Sequence, residues 1–198
     1  NNKLWNNSSG VLLWMSHPAW PSMIWQTYSW DFQTHGSFYG SKKGCEPLHI
    51  QMNLHNNQVI VVNTSINHVQ AANAVMQVYS LDGKLLQSKT AVVDIKANAK
   101  ADVFAATLDE AILPANYFVR LTLKDKKGNV LAANDYWKAN ASTGHFKAFN
   151  QLPAVTLSGS ATRVGNGQMK IELENKTKYP AIGVKLDAVD NAAQILLP

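Results

Sequence analysis

From residue 48 onward the apolar side chains recur at every second position, and this period constrains the fold of the 198-residue chain more than any other feature. Leu48, Ile50, Met52 and Leu54 alternate with His49, Gln51, Asn53 and His55. Successive side chains of an extended strand point to opposite faces, so this run predicts a half-buried strand with its polar set turned to water. Asn56-Asn57 tolerates the positive φ of a two-residue turn, and Val59 to Val62 returns as a β-branched strand. Ala74, Met76 and Val78 then lead through the turn Asp82-Gly83 to Leu85-Leu86, with shorter strands at Val92 to Ile95 and Asp102 to Phe104. Tyr117, Val119, Leu121 and Leu123 alternate with Phe118, Arg120 and Thr122 before Lys127-Gly128-Asn129 turns the chain into Val130 to Trp137. Short strands at this spacing describe an immunoglobulin-like β-sandwich over residues 47–147, in which Trp137 reads as a core residue.

Asn140 to Asn150 is polar and rich in small residues, which predicts a linker. Beyond it Val155 and Leu157, then Met169, Ile171 and Leu173, then Ile182, Val184 and Leu186 alternate around turns at Gly165-Asn166-Gly167 and Lys176 to Pro180. Three strands do not close a sandwich, so residues 151–198 read as the opening of a second one. The apolar end Ile195-Leu196-Leu197-Pro198 is an unusual finish for a surface strand and predicts an excised fragment.

Residues 1–46 follow other rules. Five of the six tryptophans lie in the first thirty residues, and Trp14 to Asp31 holds four of them with His17, Pro18 and Pro21. Proline fixes φ and lacks the backbone donor, so the two prolines predict an ordered loop that aims the rings. Tryptophan joins a large apolar face to one N–H, which suits it to a core or to the floor of a sugar subsite. Ahead of the loop, Val11-Leu12-Leu13-Trp14 reads as a short strand buried on both faces, as in a parallel sheet. Behind it, Ser37 to Lys43 predicts a short helix, with Gly44 near its end and Pro47 as its stop. One βα unit cannot bury itself.

Composition narrows the function. The net charge of +5 rests on scattered lysines and two arginines, Arg120 and Arg163, which is not the clustered pattern of a nucleic-acid surface. No apolar run approaches the length of a membrane span. Cys45 stands alone, so neither an internal disulfide nor a thiolate metal site is expected. Of the six histidines only His49 and His55 share a strand face, and about 20 Å of extended chain between them is too far for one ion. No dinucleotide, phosphate-loop or nucleophile-elbow motif is present, and no cofactor is expected. Sequons stand at Asn7, Asn63, Asn140 and Asn175. Glycoside hydrolysis requires a carboxylate pair about 5 to 10 Å apart. The tryptophan region offers only Asp31 and Glu46, read as a turn-bonding carboxylate and an ion-paired or backbone-bonded one, so no catalytic residue is assigned.

The run from Gly10 to Ser65 carries a resemblance. The Gly-led apolar stretch ending in Trp14, the Trp20-Pro21 pair, Trp25-Gln26, Tyr39-Gly40, Lys42-Lys43 and Glu46-Pro47-Leu48-His49 leading to Gln51 resemble glycoside hydrolase family 2. The similarity is to the β-mannosidase, exo-β-glucosaminidase and endo-β-mannosidase group, where a catalytic (β/α)8 barrel passes into immunoglobulin-like domains. The resemblance implies a mainly β chain. Residues 1–46 would be the last βα piece of the barrel, 47–147 a sandwich and 151–198 the start of another. It also implies a retaining, exo-acting β-glycosidase whose acid/base and nucleophile precede Asn1. Trp14 would then form an apolar wall of the sugar subsite, Trp20 and its loop would line or support it, and His17 would face a sugar hydroxyl. The Ser16-His17 pair stands where many relatives carry an amide, which leaves the sugar open. An oligosaccharide or polysaccharide is the implied partner of the parent enzyme, in a periplasmic or secreted setting. The alternatives are a non-catalytic carbohydrate-binding module and a structural spacer.

Overall fold

The computed structural model describes residues 10–22, 26–141 and 144–186. One helix, α1 (Gly36–Gly44), precedes seven strands that form two facing sheets: β1 (Leu48–Met52), β2 (Gln58–Asn63), β3 (Val69–Tyr79), β4 (Leu85–Ile95), β5 (Ala99–Ala105), β6 (Asn116–Lys124) and β7 (Val130–Ala139). The sheets have the orders β1-β2-β5 and β4-β3-β6-β7, with antiparallel pairing throughout. A 3-10 turn over Lys147–Gln151 leads to a separate hairpin of β8 (Leu157–Gly165) and β9 (Gln168–Asn175).

The alternation explains the core. Ile50, Met52, Val59, Val61, Ala74, Met76, Val78, Tyr117, Val119, Leu121 and Leu123 are all buried in one cluster between the sheets. The turns follow their chemistry. Gly83 has φ +81 and Gly128 has φ +89, values that cost glycine nothing. Asp125 seals the second turn, its carboxylate accepting from the amides of Lys127 and Asn129, each at 2.8 Å. The first hairpin differs from the expected two-residue turn. Residues 53–57 connect β1 to β2, and Asn53 N donates to Gln58 O at 2.8 Å. The strand therefore stops at Met52, which leaves Leu54 exposed.

Strand parity also places Tyr136 and Trp137 on opposite sides of β7. Tyr136 points inward, where its hydroxyl accepts the Met52 amide at 2.8 Å and the Asn134 amide at 2.9 Å, so one phenol ties the two sheets together. Burial pushes the Tyr136 phenol up from its ordinary value. Trp137 is consequently not a core residue. It lies 56% exposed on the outer face opposite Phe118, with which it is in register.

The small sheet is covered on both faces. Ile60 and Val62 are buried although they point away from the inter-sheet core, as is His49, the register partner of Val62. The unbroken apolar run Val59 to Val62 is the sequence mark of that double burial. The end of α1 supplies part of the cover, with Lys43 Nζ bonding Glu46 Oε1 at 2.6 Å and Glu46 Oε2 facing His49 Nδ1 at 3.5 Å. Burial holds the His49 imidazole below its ordinary range, only partly offset by Glu46. Burial also pushes Glu46 up, but the Lys43 hydrogen bond and charge, with His49, outweigh it and hold the carboxyl down. The unfolded chain therefore takes up the His49 proton more readily than the folded one. Stability present above about pH 6.5 should be lost as pH falls through the depressed folded value. Urea midpoints measured from pH 7.5 to 5 should decline, and His49→Gln should flatten that decline. An identical slope in the variant would show that His49 is not its source.

The strand expected at Val11 to Trp14 does not form. Residues 10–15 have no strand structure, Leu12 is fully exposed, and none of the nine strands among the described residues pairs with this segment. The βα unit of a barrel is accordingly not visible here. A parallel strand forms only where neighbouring strands pair with its N–H and C=O groups. Hydrogen exchange should read this directly, with amides of residues 11–13 exchanging near the unprotected rate while Val119 and Leu121 are protected by several orders of magnitude. Slow, uniform exchange across 11–13 would contradict the placement. In the C-terminal part, the polar stretch Ser158 to Arg163 forms most of β8, whereas Ile182 to Leu186 carries no strand despite its alternation.

Candidate functional site

The loop after Trp14 is ordered by a small hairpin. Tyr28 N donates to Ser16 O at 3.0 Å, and Tyr28 pairs with Thr34 in an antiparallel bridge. Inside it, Ser29 N donates to Gln33 O at 2.9 Å and Phe32 N to Ser29 O at 3.0 Å, which places Trp30, Asp31 and Phe32 at the tip. Phe32 adopts φ +62, the left-handed region that a side chain disfavours. Asp31 compensates by holding the tip closed: its carboxylate accepts the Ser29 hydroxyl and, at 3.4 Å, the Gln33 amide. The Ser29 bond is the main reason its carboxyl lies below the ordinary value. Below the tip, Thr27 Oγ1 donates to Ser16 O and Ser37 Oγ to Gln26 O, fixing the loop to the start of α1. Gln26 and Thr27 are buried, and so is Pro18.

His17 is seated against this tip. Its ring stacks on Phe32 with centroids 4.2 Å apart and planes 14° from parallel, and Nε2 lies 3.0 Å from Trp30 O. A carbonyl only accepts, so Nε2 carries the proton in this bond, and a neutral ring presents Nδ1 as an acceptor. Trp14 and Trp20 stand 76% and 63% exposed, and Trp30 and Phe32 are exposed as well, so the loop carries several aromatic rings open to solvent. Trp25 lies outside the described residues. Phe32 and the Trp30 carbonyl are the partners that sequence reasoning missed. The Ser29-Trp30-Asp31-Phe32-Gln33 order, a turn carboxylate between two aromatics, was the available signal.

The carboxylates of this region have structural partners: Asp31 bonds Ser29 and Gln33, and Glu46 bonds Lys43. Among the described residues no group of three or more His, Cys, Asp or Glu side chains could hold a metal ion, and no helix is long and apolar enough to cross a membrane. Asp109 and Glu110 serve the backbone, accepting the amides of Ala111 and Ala141.

The chain is thus a β-sandwich preceded by a tryptophan-rich loop and followed by a second β unit. Residues 55–141 match the Mannosidase Ig/CBM-like domain family, and residues 134–198 match the exo-beta-D-glucosaminidase Ig-fold domain family. The exo-beta-D-glucosaminidase of Hypocrea jecorina is 28% identical over 98% of this chain and 25% of its own length. The mannosylglycoprotein endo-beta-mannosidase of Lilium longiflorum is 27% identical over 89% of this chain and 19% of its own. Among solved structures, the exo-chitosanase CsxA of Amycolatopsis orientalis superposes with a TM-score of 0.75 at 26% identity, covering 87% of this chain and 23% of that one. Residues 55–198 thus carry two domain families of the mannosidase and exo-beta-D-glucosaminidase group, in line with the resemblance to glycoside hydrolase family 2. It spans about a quarter of the length of the curated exo-glucosaminidases it matches.

Proposed function

We propose that this chain is the C-terminal portion of an exo-acting, retaining β-glycosidase of the β-mannosidase or exo-β-glucosaminidase type, and that its catalytic carboxylates lie on residues outside it. The observation that carries this reading is the end-to-end similarity to exo-β-D-glucosaminidases, of which it matches only about a quarter. The commitment of Asp31 and Glu46 to Ser29, Gln33 and Lys43 supports the second half of the reading. In the parent enzyme one carboxylate attacks the anomeric carbon, and the other protonates the leaving oxygen and then activates water. This chain contributes Trp14 and Trp20 as apolar walls of the sugar subsite. His17, aligned by Trp30 O and Phe32, contributes a hydrogen bond to a sugar hydroxyl. The sandwich braces that wall. Substrate is an oligosaccharide or polysaccharide, and a periplasmic or secreted location suits it.

The test is to assay the 198-residue chain beside the full-length gene product on aryl β-mannoside and aryl β-glucosaminide. Turnover is expected from the full-length enzyme alone, with kcat/KM reduced roughly 10 to 100-fold by Trp14→Ala through lost stacking and orientation. Hydrolysis by the 198-residue chain would overturn the placement of the catalytic pair.

A further inference from the structure

The segment that follows β9 touches three separate parts of the molecule. Its first turn is fixed by Asn175, whose Nδ2 donates to Tyr179 O at 2.7 Å while its Oδ1 accepts the Thr177 amide at 3.0 Å. The Lys178 carbonyl then lies on the turn between β3 and β4, so close that a Cβ added to Gly83 would stand 2.7 Å from it. Further on, Pro180 and Ile182 line one cleft with Trp137 and Phe149, outside the sandwich core. Lys185 Nζ finally donates to Gln33 Oε1, in the hairpin of the aromatic loop. A segment held at Gly83 and at the cleft has less freedom left to lose when Lys185 makes that contact.

We propose that residues 178–185 are a strap between the two β units and the aromatic loop, and that Lys185 at its end is a positioning residue for His17. Its functional half rests on the reading of His17 as a group that bonds a sugar hydroxyl. Gln33 is the link. Its carbonyl accepts the Ser29 amide at 2.9 Å and its own amide donates to Asp31 Oδ1 at 3.4 Å, so Gln33 forms the side of the tip opposite Ser29. Trp30 O and Phe32, the two partners of His17, lie between those residues. Phe32 sits at the disfavoured φ of +62, so the closed tip depends on its cross-links and a modest contact can shift its population. Behind the Ser29 hydroxyl and the Gln33 amide, the Lys185 charge also helps to hold the Asp31 carboxyl below its ordinary value. The ionised carboxylate is the stronger acceptor for the bonds that close the tip. Lys185 and Gln33 are both exposed, which limits the effect to roughly two- to fivefold.

The experiment is heteronuclear NMR of the His17 ring in the 198-residue chain, at a pH where the ring is neutral. In the wild type the Nε2–H tautomer should predominate, because Trp30 O accepts that proton. Lys185→Ala should lower the ratio of Nε2–H to Nδ1–H tautomer by roughly two- to fivefold and move the ring protons toward their unstacked shifts. Lys185→Arg should keep both signals near the wild type, since a guanidinium can donate to the same oxygen. Two glycines test the strap itself. Gly83→Ala and Gly128→Ala impose similar backbone strain, at φ +81 and φ +89, but only the first meets Lys178, whereas Gly128 has open space around it. Gly83→Ala should therefore move the His17 signals as Lys185→Ala does, and Gly128→Ala should leave them in place. Unchanged His17 signals in Lys185→Ala, or equal changes in the two glycine variants, would overturn the inference. If Gly83→Ala fails to fold, the alanine and arginine variants of Lys185 decide the matter. In the full-length enzyme Lys185→Ala should raise KM roughly two- to fivefold with kcat little changed, as expected of weakened uniform binding. His17 signals that move with no change in KM would sink the sugar-bonding role of His17 and leave the strap standing.

Discussion

Leu121→Ala should lower the stability of the sandwich by about 3 kcal/mol, within the range of roughly 2 to 5 kcal/mol measured for such truncations. Leu121 is fully buried in the inter-sheet cluster, on a central strand whose neighbours Met76 and, across the sheets, Ile50 and Val61 belong to the same core. Its strand is paired on both sides, to β3 and to β7, so the backbone cannot move in to fill the space left by the side chain. The lost transfer energy and the unfilled cavity therefore add. For a chain of this size the thermal midpoint should fall by roughly 6 to 12 °C. The control is Val130→Ala, at an exposed position on the same sheet, which should change the midpoint little. A Leu121→Ala loss no larger than that of the control would mean that the two sheets do not enclose a tight core.

Where the sequence was readable, it was readable because one force decided the outcome locally. Tyr117, Val119, Leu121 and Leu123 are inward because the period of a strand is fixed, and Gly83 and Gly128 turn because no other residue adopts their φ so cheaply. Failures came where a partner distant in sequence decided. Trp137 reads as core by its composition, yet the neighbouring Tyr136 takes the inward position by bonding the Met52 amide, 84 residues earlier. Val11 to Trp14 has the composition of a buried strand, but no strand among the described residues pairs with it. Ser158 to Arg163 has no apolar alternation and becomes a strand because β9 pairs with it. The site divides the same way. Clustered tryptophans and two prolines announced an ordered aromatic loop, but the seat of His17 depends on Trp30 O and Phe32, thirteen and fifteen residues away, and on the Asp31 closure that brings them there.

The second large effect falls on a polar residue. Asn63→Asp should destabilise the fold by about 3 to 5 kcal/mol at neutral pH, the scale of an uncompensated buried charge. Asn63 ends β2 with no solvent exposure, and its amide is fully used. Nδ2 donates to Asn67 O at 2.7 Å and Lys96 O at 3.0 Å, while Oδ1 accepts the Ser65 amide at 3.1 Å and the Ser65 hydroxyl at 2.7 Å. One side chain therefore joins the loop after β2 to the loop between β4 and β5. Aspartate keeps the shape and the acceptor but turns an oxygen toward two carbonyls, so the substitution isolates the donor. Either the carboxylate is buried against two acceptors or it takes up a proton at a cost that grows with pH. The penalty should shrink on acidification toward pH 4.5, and Asn63→Ala should lose about 2 to 3 kcal/mol with no such pH dependence of its own. The same geometry forbids a glycan on the sequon Asn63-Thr64-Ser65 in the folded chain, because Nδ2 would have to leave both carbonyls. In a eukaryotic secretory host, chains glycosylated at Asn63 should be absent from the folded fraction. Recovery of folded, Asn63-glycosylated protein would show that this amide does not hold the two loops together.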